Sequence, residues 1–205
     1  MKPYAKALIG PYQCGFRPGK STIDQIFTLR QILEKGLENQ GRTHHLFVDF
    51  KTAFDSPVRD RVYNTMSELG IPAKLIRLSR MTLSSSVKVG KDFSELFDAV
   101  QGCRQGDGLS CDLFNFLMES VIRNAGAHRN GTIFYKSVYL LGYADGIDII
   151  GRTMPDVTAA LSAIEWESAK MSLVVNEGQR KYMLSRSEVL PHMGSYNDVL
   201  PGNQA

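Results

Sequence analysis

Val138-Tyr-Leu-Leu-Gly-Tyr-Ala-Asp-Gly-Ile-Asp-Ile-Ile150 is the stretch on which the fold turns. Two apolar runs, Val138 to Tyr143 and Ile147 to Ile150, flank Asp145-Gly146, a dipeptide suited to the positive φ angles of a type I′ turn, so a β-hairpin is expected. Upstream, His45-Leu-Phe-Val-Asp-Phe50 is another short apolar run, with Gly41 behind it and polar residues ahead, and reads as a buried strand with Asp49 near its end. Helical patterns surround these strands. Ser21 and Asp24 form a capping-box start for a helix carrying Ile23, Ile26, Phe27 and Leu33 up to Gly36. Further helices are expected at Arg59 to Leu69 and Ala73 to Leu83, the latter entered through Pro72. A helix from Ser110 presents Leu113, Phe114, Leu117, Met118, Val121, Ile122 and Ala125 as one apolar stripe ending at Gly126. Another opens at Thr153 with Pro155 and Asp156 and carries Val157, Ala160, Leu161, Ile164 and Met171. Val87-Lys-Val and Leu96 to Val100 read as a second hairpin, and periodicity fades beyond Arg186. Strands do not alternate singly with helices, so the pattern points to an α+β fold with helices packed on an antiparallel sheet.

The chain has 205 residues, against roughly 150 for a typical domain, which suggests one domain or one compact lobe of something larger. Apolar residues make up 43% and charged residues 22%, a globular balance that excludes disordered and collagen-like classes. A net charge of +3 is too small to announce a nucleic-acid or membrane partner by itself. No run approaches the ~18 apolar residues of a membrane helix and no signal-peptide core is visible, so the expectation is an intracellular protein without membrane contact. Cys14, Cys103 and Cys111 lack the spacing of a disulfide framework or zinc site and read as reduced thiols in or near the core.

Asp49 ends a greasy strand and Asp145 stands at the tip of a greasy hairpin, positions costly for a charge unless it reaches water or meets a cation. A carboxylate pair at one sheet edge would suit magnesium chemistry on phosphates. Spacing alone leaves the plainer alternative open, in which Asp49 faces solvent and Asp145-Gly146 is only a turn.

Four strings bear on that choice: Gln13-Cys-Gly-Phe-Arg-Pro-Gly-Lys-Ser-Thr22, Phe47-Val-Asp-Phe-Lys-Thr-Ala-Phe-Asp-Ser56, Gln101-Gly-Cys-Arg-Gln-Gly-Asp-Gly-Leu-Ser110 and Gly142-Tyr-Ala-Asp-Gly-Ile-Asp148. In this order they resemble the reverse transcriptases of non-LTR retrotransposons, from Lys2 to about Ser185. The resemblance implies the palm of a polymerase right hand with part of the fingers over residues 1–187. It implies RNA-directed DNA polymerase activity, with an RNA template, a DNA primer and deoxynucleoside triphosphates as partners. By the same resemblance Asp49 and Asp145 match the metal-binding aspartates that hold two magnesium ions. Phe50, Phe54, Gln105 and Gly106 fall at nucleotide-binding positions, Phe54 being the aromatic that leaves little room for a 2′-hydroxyl. Arg17, Lys20 and Arg104 fall where phosphates of nucleotide or nucleic acid are met, and Lys51, Arg59, Arg61, Arg77 and Arg80 could extend the same groove.

Several positions depart from the family pattern. Gly146 replaces the second aspartate of the Tyr-x-Asp-Asp hairpin, and Gln179 replaces the lysine of the later Asn-x-x-Lys-Thr motif, with Lys181 a neighbour and not a match. Asp148 is not an obvious substitute. No counterpart of the upstream fingers precedes Met1, and residues 188–205 diverge before the primer-grip strands. The expectation is therefore a truncated, decayed copy without a thumb, ending in a poorly ordered tail. Its activity would be impaired by Gly146 and truncation; the alternative is a catalytically dead palm remnant that at most binds nucleic acid.

Overall fold

In the computed structural model, which describes residues 1–39, 41–97, 99–103, 107–127, 138–186 and 189–195, local signals and apolar patterning agree for most elements. Helix α1 (Lys2–Leu8) has Pro3 in its first turn, where a missing N–H costs nothing. Helix α2 (Thr22–Glu38) starts on the Ser21 capping box: Ser21 Oγ accepts from Asp24 N, while Asp24 Oδ2 accepts from Ser21 N at 2.6 Å. It runs past the expected stop at Gly36. Strands β1 (Thr43–Val48) and β2 (Phe50–Lys51) lead to α3 (Arg59–Glu68) and α4 (Ala73–Leu83). Strands β3 (Lys88–Val89) and β4 (Asp92–Phe93) form a small hairpin about Gly90. The turn is tighter than the sequence suggested, and Leu96 to Val100 contributes only a bridge from Phe97 to Ser85 among its described residues.

Helix α5 (Gly108–Asn124) begins two residues before Ser110, because the Asp107 carboxylate accepts from Leu109 N at 3.0 Å and takes the capping position. Strands β5 (Val138–Tyr143) and β6 (Gly146–Gly151) make the expected hairpin, followed by α6 (Met154–Lys170), capped by Thr153. The chain ends through β7 (Val174–Val175), a short 3-10 turn at Glu177–Gln179, β8 (Lys181–Arg186) and β9 (Val189–Ser195). Within the tail expected to be poorly ordered, 188–205, strand β9 pairs with β8, and residues 196–205 lie outside the described residues.

The main sheet has order β5-β6-β1-β8-β9 and every pairing in it is antiparallel; β2 pairs separately with β7. Alternation along the strands divides the apolar residues between two layers. Leu46, Val48, Ile147 and Ile149 join Leu113, Phe114, Leu117 and Val121 of α5, with Val157, Leu161 and Ile164 of α6, in the main core. Leu141 and Ile150 face the other way, against Ile32 and Leu29 of α2. The residues picked as the buried stripe of α2 behave otherwise: Ile23, Ile26 and Phe27 are exposed. All three cysteines are free, and burial pushes the Cys103 thiol up to about 11. Among the described residues no helix is long and apolar enough to cross a membrane.

Leu117 is fully buried at the centre of α5. Leu117→Ala should lower unfolding free energy by about 2–5 kcal/mol, the cost of a core cavity, in urea titrations followed by circular dichroism. A loss below about 1 kcal/mol would contradict the packing of α5 as the central layer.

Candidate active site

Asp49 leaves β1 one residue beyond the last rung of its ladder with β6, the Val48 to Ile147 pair. One further step sets Asp49 opposite Gly146, with Asp145 the next residue in the turn. The backbone of Asp49 is fixed from the other side, where its carbonyl accepts from Asn176 N at 2.8 Å. Burial pushes the half-buried Asp145 carboxyl above its ordinary value; a backbone hydrogen bond acts against this, and the charge of Asp49 adds to the rise. Among the described residues, no basic side chain belongs to the groups acting on Asp145. Among the described residues there is no cluster of three His, Cys, Asp or Glu side chains able to hold a metal. A Cβ at Gly146 would meet only Tyr143 O, at 3.5 Å, an ordinary contact, so a larger residue fits there.

The turn itself differs from expectation. Tyr143 pairs with Gly146, so its two central residues are Ala144 and Asp145, not Asp145 and Gly146. Ala144 has φ 58°, while Asp145 is not among the positive-φ residues, so this is not a type I′ turn. The arrangement is held from the N-terminal segment. The Gln13 side chain accepts from Ala144 N at 2.9 Å and donates to Ala144 O at 2.9 Å.

Phe54 is half-buried, tilted against Phe114 with ring centroids 4.6 Å apart and met edge-on by Phe16 at 5.9 Å. Phe50 requires a correction. It is 3% exposed, part of the main core and paired with Val175, because side chains alternate along the strand and Asp49 takes the outward position. Arg17 donates to the carbonyls of Gly10 and Gln13, at 2.7 and 3.1 Å, and so braces its own loop. Lys20 is exposed and lines a cavity of about 500 Å³ with Lys2, Lys6, Arg17, Phe16 and Asp112. Arg104, Gln105 and Gly106 lie outside the described residues. Gln179 is exposed in the 3-10 turn, and its neighbour Arg180 is engaged by Glu165 and Glu177. Arg59 is removed from the groove: it is buried and donates to Gly102 O at 2.8 Å and Leu83 O at 2.7 Å.

Sequence reasoning passed over Gln13 and Gln25, whose roles are contacts to backbone far along the chain. Their one visible signal was position, Gln13 opening the first of the four strings and Gln25 lying in the helix after it. Asp148 is also explained. It is buried and bonded to His45 Nδ1 at 3.2 Å, with His45 Nε2 on Thr43 Oγ1 at 3.0 Å, so it belongs to a separate internal pair. Burial raises the Asp148 carboxyl, and its bond to His45 and the charge of that ring oppose the rise.

Because the Asp145 carboxyl is raised in the folded state, its ionisation opposes folding; that penalty is absent below the ordinary carboxylate range and grows as pH rises through the folded value. Asp145→Asn should therefore melt above the unmodified chain at pH 7 in EDTA, and the two should converge near pH 3. A lower melting temperature for the variant at pH 7 would contradict this charge balance.

The chain matches the family described as Reverse transcriptase (RNA-dependent DNA polymerase) over residues 1–191. It is 26% identical over 121 residues to a retrovirus-related Pol polyprotein from a type-1 retrotransposable element R2 of Nasonia vitripennis, covering 58% of this chain and 12% of that protein. It is 24% identical over 146 residues to the Pol polyprotein of a type-2 retrotransposable element of Drosophila melanogaster, covering 70% of this chain and 14% of that protein. The aligned segment is thus a small part of each relative. Among solved structures, the apo telomerase of Candida tropicalis truncated from its C-terminal domain superposes with a TM-score of 0.64 at 16% identity, covering 99% of this chain and 40% of that one. The telomerase of Candida albicans, in complex with a fragment of telomeric RNA, gives 0.62 at 12% identity, covering 92% and 32%. These likenesses carry the fold, an α+β palm-like sheet with packed helices, and the family match carries the rest: the chain belongs to the reverse transcriptase (RNA-dependent DNA polymerase) family.

Proposed function

We propose that this chain carries the nucleotidyl-transfer site of an RNA-directed DNA polymerase in reduced form, with Asp49 and Asp145 as its catalytic carboxylates and Gly146 as a lesion. The observation that carries the reading is the placement of Asp49, one residue past the Val48 to Ile147 rung of the sheet, beside the turn between β5 and β6 that bears Asp145. Two half-buried carboxylates offer hard oxygen ligands and leave positions for water and phosphate, so they fit magnesium. By family two such ions serve the reaction, and bound magnesium would supply activation of the primer 3′-hydroxyl and charge neutralisation on the pyrophosphate. The protein's own contribution is position and charge. Phe54, backed by Phe114 and Phe16, offers an aromatic wall to the sugar of a deoxynucleotide. Lys2, Lys6 and Lys20, around a cavity whose one acidic lining residue is Asp112, suit phosphates of nucleotide or template. Family resemblance assigns further nucleotide and phosphate contacts to Gln105, Gly106 and Arg104.

Gly146 favours a second reading, a remnant that binds RNA–DNA hybrid without extending it, since the position facing Asp49 carries no carboxylate. The test is single-nucleotide primer extension on a saturating RNA–DNA hybrid with magnesium and deoxynucleotides. The unmodified chain should extend about two to four orders of magnitude more slowly than Gly146→Asp, corresponding to about 3–5 kcal/mol of lost transition-state stabilisation. Asp49→Asn in the restored background should abolish extension. Equal rates for the unmodified and restored chains would remove Gly146 as a lesion, and no extension by either while hybrid is bound would select the remnant. Hybrid affinity should fall steeply with salt, because phosphates meet scattered lysines and arginines; salt-independent binding would contradict the basic cavity as the contact.

A further inference from the structure

We propose that Gln13 is a positioning residue for the Asp145 turn, setting the catalytic carboxylate through the backbone of Ala144; its catalytic consequence rests on the function proposed above. Gln13 is 1% exposed, and its amide makes three hydrogen bonds, all to backbone. Oε1 accepts from Ala144 N at 2.9 Å and from Gly15 N at 2.8 Å, while Nε2 donates to Ala144 O at 2.9 Å. One side chain thus satisfies both polar groups of the residue immediately before Asp145. Ala144 is itself buried, so water does not readily take their place.

The contact belongs to a clamp. Residues Tyr12 to Cys14 run parallel to the outer edge of β5: Gly142 N donates to Tyr12 O at 2.8 Å and Cys14 N to Gly142 O at 2.9 Å. Gln25 Nε2 closes the end of this pairing by donating to Tyr12 O and Gly142 O, at 2.9 and 2.5 Å. Gly15 lets the segment come close enough, since a Cβ there would stand 2.1 Å from Ala144 N. Its carbonyl accepts from Asn115 Nδ2 of α5 at 3.0 Å, fixing the clamp to the core.

Ala144 at φ 58° occupies a region that L-residues with a Cβ seldom adopt without outside support. Relaxation of that angle would rotate every atom that follows, Asp145 first. A segment distant in sequence therefore sets where the Asp145 carboxylate stands relative to Asp49. This differs from a packing role because the held group is the turn backbone, not a side chain in the core.

The test compares Gln13→Ala, Gln13→Glu and a core control, Val157→Ala, each as the full chain. Gln13→Glu keeps the acceptor for Ala144 N and Gly15 N but loses the donor to Ala144 O. Amide hydrogen exchange should open at Ala144 in Gln13→Ala by at least about tenfold, less in Gln13→Glu, and not in Val157→Ala. Manganese affinity, read by electron paramagnetic resonance, should weaken by about 10–100-fold in Gln13→Ala, as for other groups that orient metal ligands. Unchanged exchange at Ala144 overturns the proposal, as does an equal loss of manganese affinity in Val157→Ala. If the unmodified chain binds no manganese, the metal reading falls separately, and exchange at Ala144 alone decides the role of Gln13.

Discussion

Ala144 stands at φ 58° in a two-residue turn, a conformation that costs a non-glycine residue of order 1–3 kcal/mol unless its surroundings impose it. The active edge depends on that constraint being met. The Gln13 amide grips both polar groups of Ala144, Gln25 and the backbone of Gly142 fix the segment bearing Gln13, and Gly15 permits the close approach. The hairpin is also held from within the sheet, where β6 pairs with β1 from Val48 back to His44. Asp145 is thereby suspended between two anchored systems, the N-terminal segment and the central strand that delivers Asp49.

Charge explains why such anchoring is needed. Two carboxylates at one sheet edge repel, and burial raises the cost of ionising Asp145 further. Elsewhere in the molecule buried acids are answered. Glu119 accepts from Gly10 N, Tyr12 OH and Arg123 Nε, Asp112 meets Lys2, and Asp148 meets His45. Asp145 stands apart from these pairs, since the side chain acting on it is the like-charged Asp49, which accords with the cation site proposed above. On the proposed reading, Gly146 leaves that site one carboxylate fewer.

Much of this was readable from residue order, and what was not has a physical cause. The hairpin, the central strand and the apolar stripe of α5 follow from local patterning, and all three are present in the sheet and the helix packed on it. The turn did not. Asp-Gly is a strong local preference, but the tertiary contact from Gln13 outweighed it and moved the turn back by one residue. The family resemblance put Phe50 at a nucleotide-binding position, yet the two-residue period of a strand sends it to the core. Arg59 counted as a groove cation, and only the fold reveals that it is spent on two buried carbonyls. In α2 the exposed Ile23, Ile26 and Phe27 mimic a core stripe, whereas Leu29 and Ile32 meet the sheet. Propensity located the elements; contacts between distant segments determined which residues serve the site.

The central claim, that Asp49 and Asp145 share a cation, is tested most directly by anomalous diffraction from crystals soaked in manganese. The account predicts an anomalous peak within bonding distance of a carboxylate oxygen from each residue, lost in an Asp49→Asn crystal. A peak bound elsewhere, or side chains of Asp49 and Asp145 directed to opposite faces of the sheet, would contradict it.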